Sequence, residues 1–282
     1  MAEFIKQCKG TDSDTVHNLQ KFWDAGSKWY WSIKYDGQYA QIHISKHCVI
    51  FYTSSGKPYT NDVLAKELLT KIPETCLPIV LEAEYLGKGE GKLGGRSDAA
   101  VVTTLRTAFA KGIPISMSHK IHIFDIIEPG NFYTRQANLT TLARFFEDSQ
   151  LIKFVEYQPC VSISQAKQLC AEFAIKGYEG IYCKCIHHTQ ATGKRVKTAF
   201  KFKLKNTTIV EIVGIDEGTG KYEGQIGAFI CEDENGLQVN VGSGLTDSIR
   251  AFDFKSVVGR KIRINYERID DTYIFPIFID FI

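Results

Sequence analysis

The stretch Ser32-Ile33-Lys34-Tyr35-Asp36-Gly37 decides how the rest of the chain is read. It closes the run WYWSIKY (29–35), whose aromatic and β-branched residues predict a strand, and opens the polar break KYDGQ (34–38). YAQIHI (39–44) and CVIFYT (48–53) follow as two more strands, so the segment predicts an antiparallel sheet. A lysine at a strand end, beside Asp and Gly, is placed to stand exposed in a cleft. Its amine is a nucleophile only when unprotonated, a state that nearby cations or desolvation favour. Taken alone, the six residues also fit a strand-to-turn junction with a surface lysine.

Working outward, residues 14–25 read as a short helix ending near Gly26. DVLAKELLTKI (62–72) is an amphipathic helix, LPIVLEAEYL (77–86) a strand, SDAAVVTTLRTAF (97–109) a helix capped by Ser97, and HKIHIFDII (119–127) a strand. Helices are predicted near 135–147 and 164–176, and strands at GYEGIYCK (177–184) and AFKFKLK (199–205). After Asn206 the pattern changes to five strand-like runs separated by Gly-rich turns: TIVEIVGI, GQIGAFICE, LQVNVG, KIRINYERI and YIFPIFIDF, with a short helix near 245–255. Five strands in so short a span fit a small Greek-key barrel of OB type. The chain is therefore read as α+β with two domains, 1–206 and 207–282, and without internal repeats.

Composition limits the function classes. The 282 residues are 44% hydrophobic, the proportion of an ordinary globular chain, and no run of 18 apolar residues suggests a membrane span. The N-terminus MAEFIKQCKG lacks the apolar core of a secretory signal. Cysteines 8, 48, 76, 160, 170, 183, 185 and 231 have no zinc-type spacing, so free thiols and an intracellular location, not secretion, are expected. Cys183, Cys185, His187 and His188 are the one group that suggests a metal site, without visible supporting residues. Net charge is only +2, but residues 1–206 carry +8 and residues 207–282 carry −6. The first segment suits a polyphosphate or a DNA backbone, although ordinary surface variation also gives such a split.

Other segments add chemistry to Lys34. Leu81-Glu82-Ala83-Glu84 follows an apolar strand, as does Ile121-His122-Ile123-Phe124-Asp125. Gly177-Tyr178-Glu179-Gly180 is a turn entering a strand, and Lys201 and Lys203 alternate so that both ammonium groups share one face. A nucleotide site needs these parts: an aromatic against the base, carboxylates for ribose and a divalent metal, and cations for a phosphate as charge develops. Each residue alone has a plainer reading: Phe124 in the core, Glu84 or Glu179 as a solvated charge.

In order, these segments resemble the motifs of the covalent nucleotidyltransferase superfamily, which includes ATP-dependent DNA ligases, RNA ligases and mRNA capping enzymes. Lys34-Tyr35-Asp36-Gly37 resembles KxDG, and Thr53–Lys57 (TSSGK) the segment SRxGK. Glu84 matches the DGE motif, Phe124 the aromatic before Asp, Glu179 the EG motif, and Lys201/Lys203 the KxK motif; Lys203/Lys205 is the other register. The segment 218–244 and the ending FPIFI (275–279) resemble the barrel of small viral and bacteriophage DNA ligases. The resemblance implies an ATP-grasp-like nucleotidyltransferase domain of antiparallel sheets with flanking helices, followed by an OB barrel. It implies a DNA ligase that uses ATP and Mg2+ on nicked duplex DNA, with a lysyl-AMP at Lys34 assisted by Asp36. It places the nucleotide on Ser32, Ile33, Lys34, Glu84, Phe124, Lys201 and Lys203, the metal on Glu179 and Glu84, and DNA on Lys57, Arg96 and Lys205. A monomer is expected, not at a membrane, with any accessory protein unknown.

Three arginines of the family pattern have no counterpart. KxDGxR ends in Tyr39, SRxGK has Ser54, and the segment at the C-terminus reaches Ile282 without one. Neither tyrosine nor serine reproduces the bidentate guanidinium. Lys57, Arg96 and Lys184 are the cations considered in compensation. The barrel has a short turn, GTGKYEG, where some small ligases carry a long insertion, and no DNA-binding domain precedes the nucleotidyltransferase segment. The expectation is nick sealing by a two-domain core that depends on low salt or on a partner. An RNA ligase, a capping-type guanylyltransferase, or a non-catalytic nucleic-acid binder on the same fold are the alternatives.

Overall fold

The computed structural model describes residues 3–26, 28–86, 91, 120–266, 268–269, 272–274 and 276–282. The predicted 97–109 helix with its Ser97 cap, and Arg96, lie outside the described residues. The chain divides into two compact units, Met1–Lys203 and Leu204–Ile282.

Among its described residues the first unit holds two sheets. One has five strands in the order β1-β11-β10-β2-β9: β1 (Lys9–Asp12), β2 (Trp29–Lys34), β9 (Gln158–Cys160), β10 (Gly180–Cys185) and β11 (Arg195–Lys203). The other has six, in the order β5-β4-β3-β6-β7-β8: β3 (Gln38–Ser45), β4 (Cys48–Tyr52), β5 (Pro58–Tyr59), β6 (Ile79–Tyr85), β7 (Ile121–Ile126) and β8 (Ile152–Phe154). Period-2 alternation decides which residues each sheet buries. In the five-stranded sheet, Ile33, Ile181 and Phe202 form one cross-strand row, and Trp31, Cys183 and Phe200 the next. These rows pack with Trp23, Trp29 and Cys170 into a core. The opposite face of the same strands carries the chemistry.

Among the described residues four helices flank these sheets: α1 (Leu19–Ala25), α2 (Asp62–Lys71), α3 (Phe132–Ala143) and α4 (Ile163–Ile175). Side-chain caps begin them, as when Asn61 accepts from the Leu64 amide at 3.0 Å and Ser162 from the Gln165 amide at 3.1 Å. Leu64 and Leu68, one turn apart on α2, are fully buried. The helix expected over 14–25 starts late. Asn18 occupies the left-handed region (φ 57°) and its side chain accepts from the Lys21 amide, so regular helix begins only at Leu19.

The second unit is a five-stranded sheet in the order β14-β13-β12-β15-β18, plus the small hairpin β16–β17. Its strands are β12 (Asn206–Glu217), β13 (Ile226–Glu232), β14 (Gln238–Val241), β15 (Lys261–Tyr266), β16 (Arg268–Ile269), β17 (Tyr273–Ile274) and β18 (Ile277–Phe281). A bridge between Ser243 and Ile277 joins the two edges of the sheet, closing it as the OB-type pattern requires. The helix expected near 245–255 is two short ones, α5 (Asp247–Arg250) and α6 (Phe254–Val257). Inside the unit, the Arg250 guanidinium donates to the carbonyls of Ile226, Gly227 and Gly242 at 2.6–2.8 Å. Among the described residues no helix is long and apolar enough to cross a membrane.

Candidate active site

A cleft of about 420 Å³ opens in the first unit. The five-stranded sheet forms one wall in cross-strand rows: Lys34, Gly180 and Lys203 make one, and Ser32, Tyr182 and Lys201 the next. Side chains in these rows share a face, so Ser32, Lys34, Tyr182 and Lys201 turn to the cleft while the intervening rows fill the core. Gly180 stands between the two lysines with φ +140°, and a Cβ there would lie 2.1 Å from the Phe202 carbonyl oxygen. Only glycine fits that approach. The preceding residue, Glu179, is buried and ion-paired through one oxygen with Lys34 and through the other with Lys203. Burial alone would raise the Glu179 carboxyl pKa, but these two ammonium groups hold it below its ordinary value. For Lys201, burial and then the like charges of Lys34 and Lys203 lower the pKa, against an opposing pull from Asp12.

The six-stranded sheet supplies the other wall. The Gly37 amide donates to Glu84 Oε1 at 3.1 Å, which ties the turn after Lys34 to β6. A Cβ on Gly37 would lie 2.6 Å from the Tyr85 carbonyl oxygen, so this turn too requires glycine. Phe124 is the extra residue of a β-bulge: Ala83 pairs with Ile123 and Glu82 with Asp125, leaving Phe124 unpaired between them. The bulge breaks the alternation that would send Phe124 and Asp125 to opposite faces, and both line the cleft.

Beneath this wall lies a buried charge network. Asp125 binds Arg135 at 2.8 Å and Lys184 at 2.7 Å. Burial works against its charge, but the two cations hold the Asp125 pKa down to about 2. Lys184 is raised above its ordinary value, Asp125 overcoming the cost of burial, and the rings of Phe124, Phe132, Tyr157 and Tyr182 surround it at 5.2–5.7 Å. Glu82 accepts from Tyr39 Oη at 2.6 Å and from Gln190 Nε2 at 2.9 Å. Burial, and then the charge of Asp125 across the strand pair, pushes its carboxyl up to about 7. Tyr39, at the position of an expected arginine, is thus a neutral donor to a carboxylate.

The structure gathers Ser32, Ile33, Lys34, Glu84, Phe124 and Lys201 around one cleft, with Glu179 and Lys203 at the end of Lys34. Other expected residues stand elsewhere. Asp36 is buried in the turn, its amide donating to the Gly91 carbonyl at 2.8 Å, and does not line the cleft. Lys57 is exposed and closes its own turn through its amide to Thr53 Oγ1, while Ser54 lines the cleft. Lys205 follows the end of β11, within the second unit. Lys184 lines the cleft with its ammonium paired to Asp125. Cys185 Sγ donates to the Gly26 carbonyl, His188 bonds Thr198, and Cys183 is core, so this group is occupied by packing.

Sequence reading missed the N-terminal strand. β1 pairs in parallel with β11, and Gln7, Cys8, Lys9 and Gly10 line the cleft beside Arg195. KGTD carries no strand pattern, and its partner lies far along the chain, so no local signal marked it. Tyr157 and Gln190 were missed for the same reason. A larger cavity, about 670 Å³, lies between α3 and β8, but it holds none of the residues that the motifs single out. The chemistry of the lining, not size, identifies the site.

Residues 11–203 match the ATP dependent DNA ligase domain family, and residues 217–281 the DNA ligase OB-like domain family. A DNA ligase of Methanococcus maripaludis is 28% identical over 247 residues, covering 76% of this chain and 42% of the relative. A DNA ligase of Thermococcus onnurineus is 23% identical over 244 residues, covering 79% and 42%. The chain thus spans less than half the length of these curated relatives. Among solved structures, one described as DNA binding with a minimal scaffold, in Lig E DNA ligases, superposes with a TM-score of 0.71 at 14% identity, covering 100% of both chains. The ATP-dependent DNA ligase of bacteriophage T7 in complex with ATP gives 0.57 at 17% identity, covering 98% of both. At these identities the structural likeness shows the fold.

Proposed function

Since the chain belongs to the ATP-dependent DNA ligase family, we propose that it seals nicks in duplex DNA through a covalent lysyl-AMP at Lys34. The observation that carries this reading is Glu179 joining Lys34 and Lys203 at one end of a cleft lined by Glu84 and Phe124. In the first step the Lys34 ammonium gives up a proton to solvent and its amine attacks the α-phosphorus of ATP; a P–N bond forms, the P–O bond to pyrophosphate breaks, and the second nitrogen proton follows to solvent. Phe124 packs against the adenine and Glu84 meets the ribose. Lys201 and Lys203 stabilise the charge that develops on the α-phosphate oxygens. The phosphate takes over from Glu179 as counter-ion to the cleft lysines.

In the second step a 5′-phosphate oxygen at the nick attacks the same phosphorus, and Lys34 leaves. In the third, the 3′-hydroxyl attacks the 5′-phosphate, forming the phosphodiester and releasing AMP. Orientation of the two strand ends supplies much of the rate in these last steps. Glu84, which lines the cleft, and Glu179, which borders it through Lys34, are oxygen donors of the kind magnesium takes together with substrate phosphates and would be the residues to hold that ion. When bound, it supplies Lewis-acid polarisation of phosphate oxygens.

The test is a labelled nicked duplex incubated with ATP and magnesium, which lengthens the labelled strand. Parallel DNA–DNA and RNA–RNA nicks separate DNA from RNA sealing. Label retained on the protein from GTP, and none from ATP, would contradict the reading in favour of a capping-type enzyme.

A further inference from the structure

We propose that the side-chain carbonyl of Gln190 accepts a hydrogen bond from the nucleoside part of ATP, making Gln190 a specificity-determining residue of the cleft. The inference rests on the nucleotide reading of that cleft. Gln190 sits in the connection between β10 and β11 and lines the cleft with Tyr39, Glu82 and Phe124.

Its orientation is set by its partner. At pH 8, above the raised Glu82 pKa of about 7, its carboxylate is ionised and only accepts hydrogen bonds, so the amide nitrogen faces Glu82 Oε2, as it does at 2.9 Å. The carbonyl is therefore turned away from Glu82. The neighbouring Tyr39 and Gln41 side chains are paired. Tyr39 donates to the other Glu82 oxygen, Gln41 donates to Tyr39 at 3.2 Å, and Gln41 exchanges two hydrogen bonds with the Ile5 backbone at 2.8–2.9 Å. Gln190 Oε1 is buried, yet it accepts no hydrogen bond from the described residues. Buried acceptors in native proteins are nearly always paired, and an unpaired one at a cleft calls for a donor from outside the protein, water or ligand.

The partner must be a donor. An ATP triphosphate carries none near neutral pH; the nucleoside carries the N6 amine and the 2′- and 3′-hydroxyls. The shared chemistry is an N–H or O–H of the nucleoside, and analogues lacking one donor at a time distinguish the sources. Tyr39 and Glu82 act as positioning residues that hold the amide.

Lysyl-AMP formation by wild type and Gln190→Met is measured against nucleotide concentration at pH 8. The nucleotides are ATP, 2′-deoxy-ATP, 3′-deoxy-ATP and 6-chloropurine riboside triphosphate. The expected result is a roughly tenfold rise in KM for ATP in the variant, with kcat changed less than about twofold. One analogue should show that rise in wild type and no further rise in the variant, the non-additivity of a direct contact. Gln190→Asn, which withdraws the carbonyl while keeping the amide, serves as the second variant if Gln190→Met does not fold. Equal KM shifts for all four nucleotides, or none, would overturn the inference while leaving the ligase reading intact. No lysyl-AMP from wild type with ATP would overturn both.

Discussion

Lys34 and Lys203 lie in one cross-strand row on either side of Gly180, and both ammonium groups converge on the Glu179 carboxylate. Three strands, one of them distant in sequence from the other two, are therefore registered on a single acid. Replacing Glu179 by Gln keeps the shape but removes the charge that holds two ammonium groups together. We expect Glu179→Gln to lower the rate of lysyl-AMP formation by more than about 100-fold, an amount typical of losing a preorganised charged group. Gly180→Ala should instead unfold the site, because its Cβ would meet the Phe202 carbonyl oxygen at 2.1 Å with φ +140°. The cost should be roughly 1–3 kcal/mol or more, read by chemical denaturation.

Phe124 is brought to the cleft by its bulge, and its expected contribution is stacking on the base. A ring contact of this kind is worth about 0.5–1.5 kcal/mol. Phe124→Leu should raise KM for ATP by about 2- to 10-fold, with kcat for lysyl-AMP formation less affected. An unchanged KM would assign the ring to the core.

Glu82 makes stability depend on pH in a definite direction. Its carboxyl is raised in the folded protein to about 7, from an ordinary value of 4.5. The folded state therefore holds the proton more tightly, and this stabilising contribution is fully present below pH 4.5 and lost as pH rises through 7. The size is about 3 kcal/mol for a fully buried group. Asp125 acts oppositely: its depressed pKa favours folding above its unfolded value and is lost as pH falls towards 2. Between pH 5 and 8, Glu82→Gln should flatten the pH dependence of the unfolding free energy relative to wild type. Parallel slopes for the two proteins would contradict this assignment.

Arg135 is fully buried and binds both oxygens of Asp125, as well as the carbonyls of Gly130 and His188. Arg135→Met leaves Asp125 buried with Lys184 and the Ile126 amide. Breaking such a pair costs about 3–5 kcal/mol, visible in urea unfolding. The triple change Arg135→Met, Asp125→Leu and Lys184→Met should recover part of that loss, since a buried charge network is far less costly to replace whole than to break.

Local pattern made much of this fold readable. The alternation in WYWSIKY places Ser32 and Lys34 on one face and Trp31 and Ile33 on the other, and β2 has that arrangement. The same rule applied to HKIHIFDII misleads, because strict alternation opposes Phe124 and Asp125, and the bulge that reconciles them depends on pairing with β6. Glu82 and Lys184 read as polar residues of strands, and only the packed sheets show them as parts of one buried network. β1 and Gln190 carried no signal, because what makes them part of the cleft is a partner distant along the chain.

The central claim is that Lys34 carries AMP. The most direct measurement is mass spectrometry of the peptide containing Lys34 after incubation of the purified protein with ATP and magnesium. The account predicts a gain of one AMP on the Lys34 side chain, discharged when a nicked duplex is added, and no such gain in Lys34→Ala. AMP on a different residue, or nick sealing by Lys34→Ala at the wild-type rate, would contradict it.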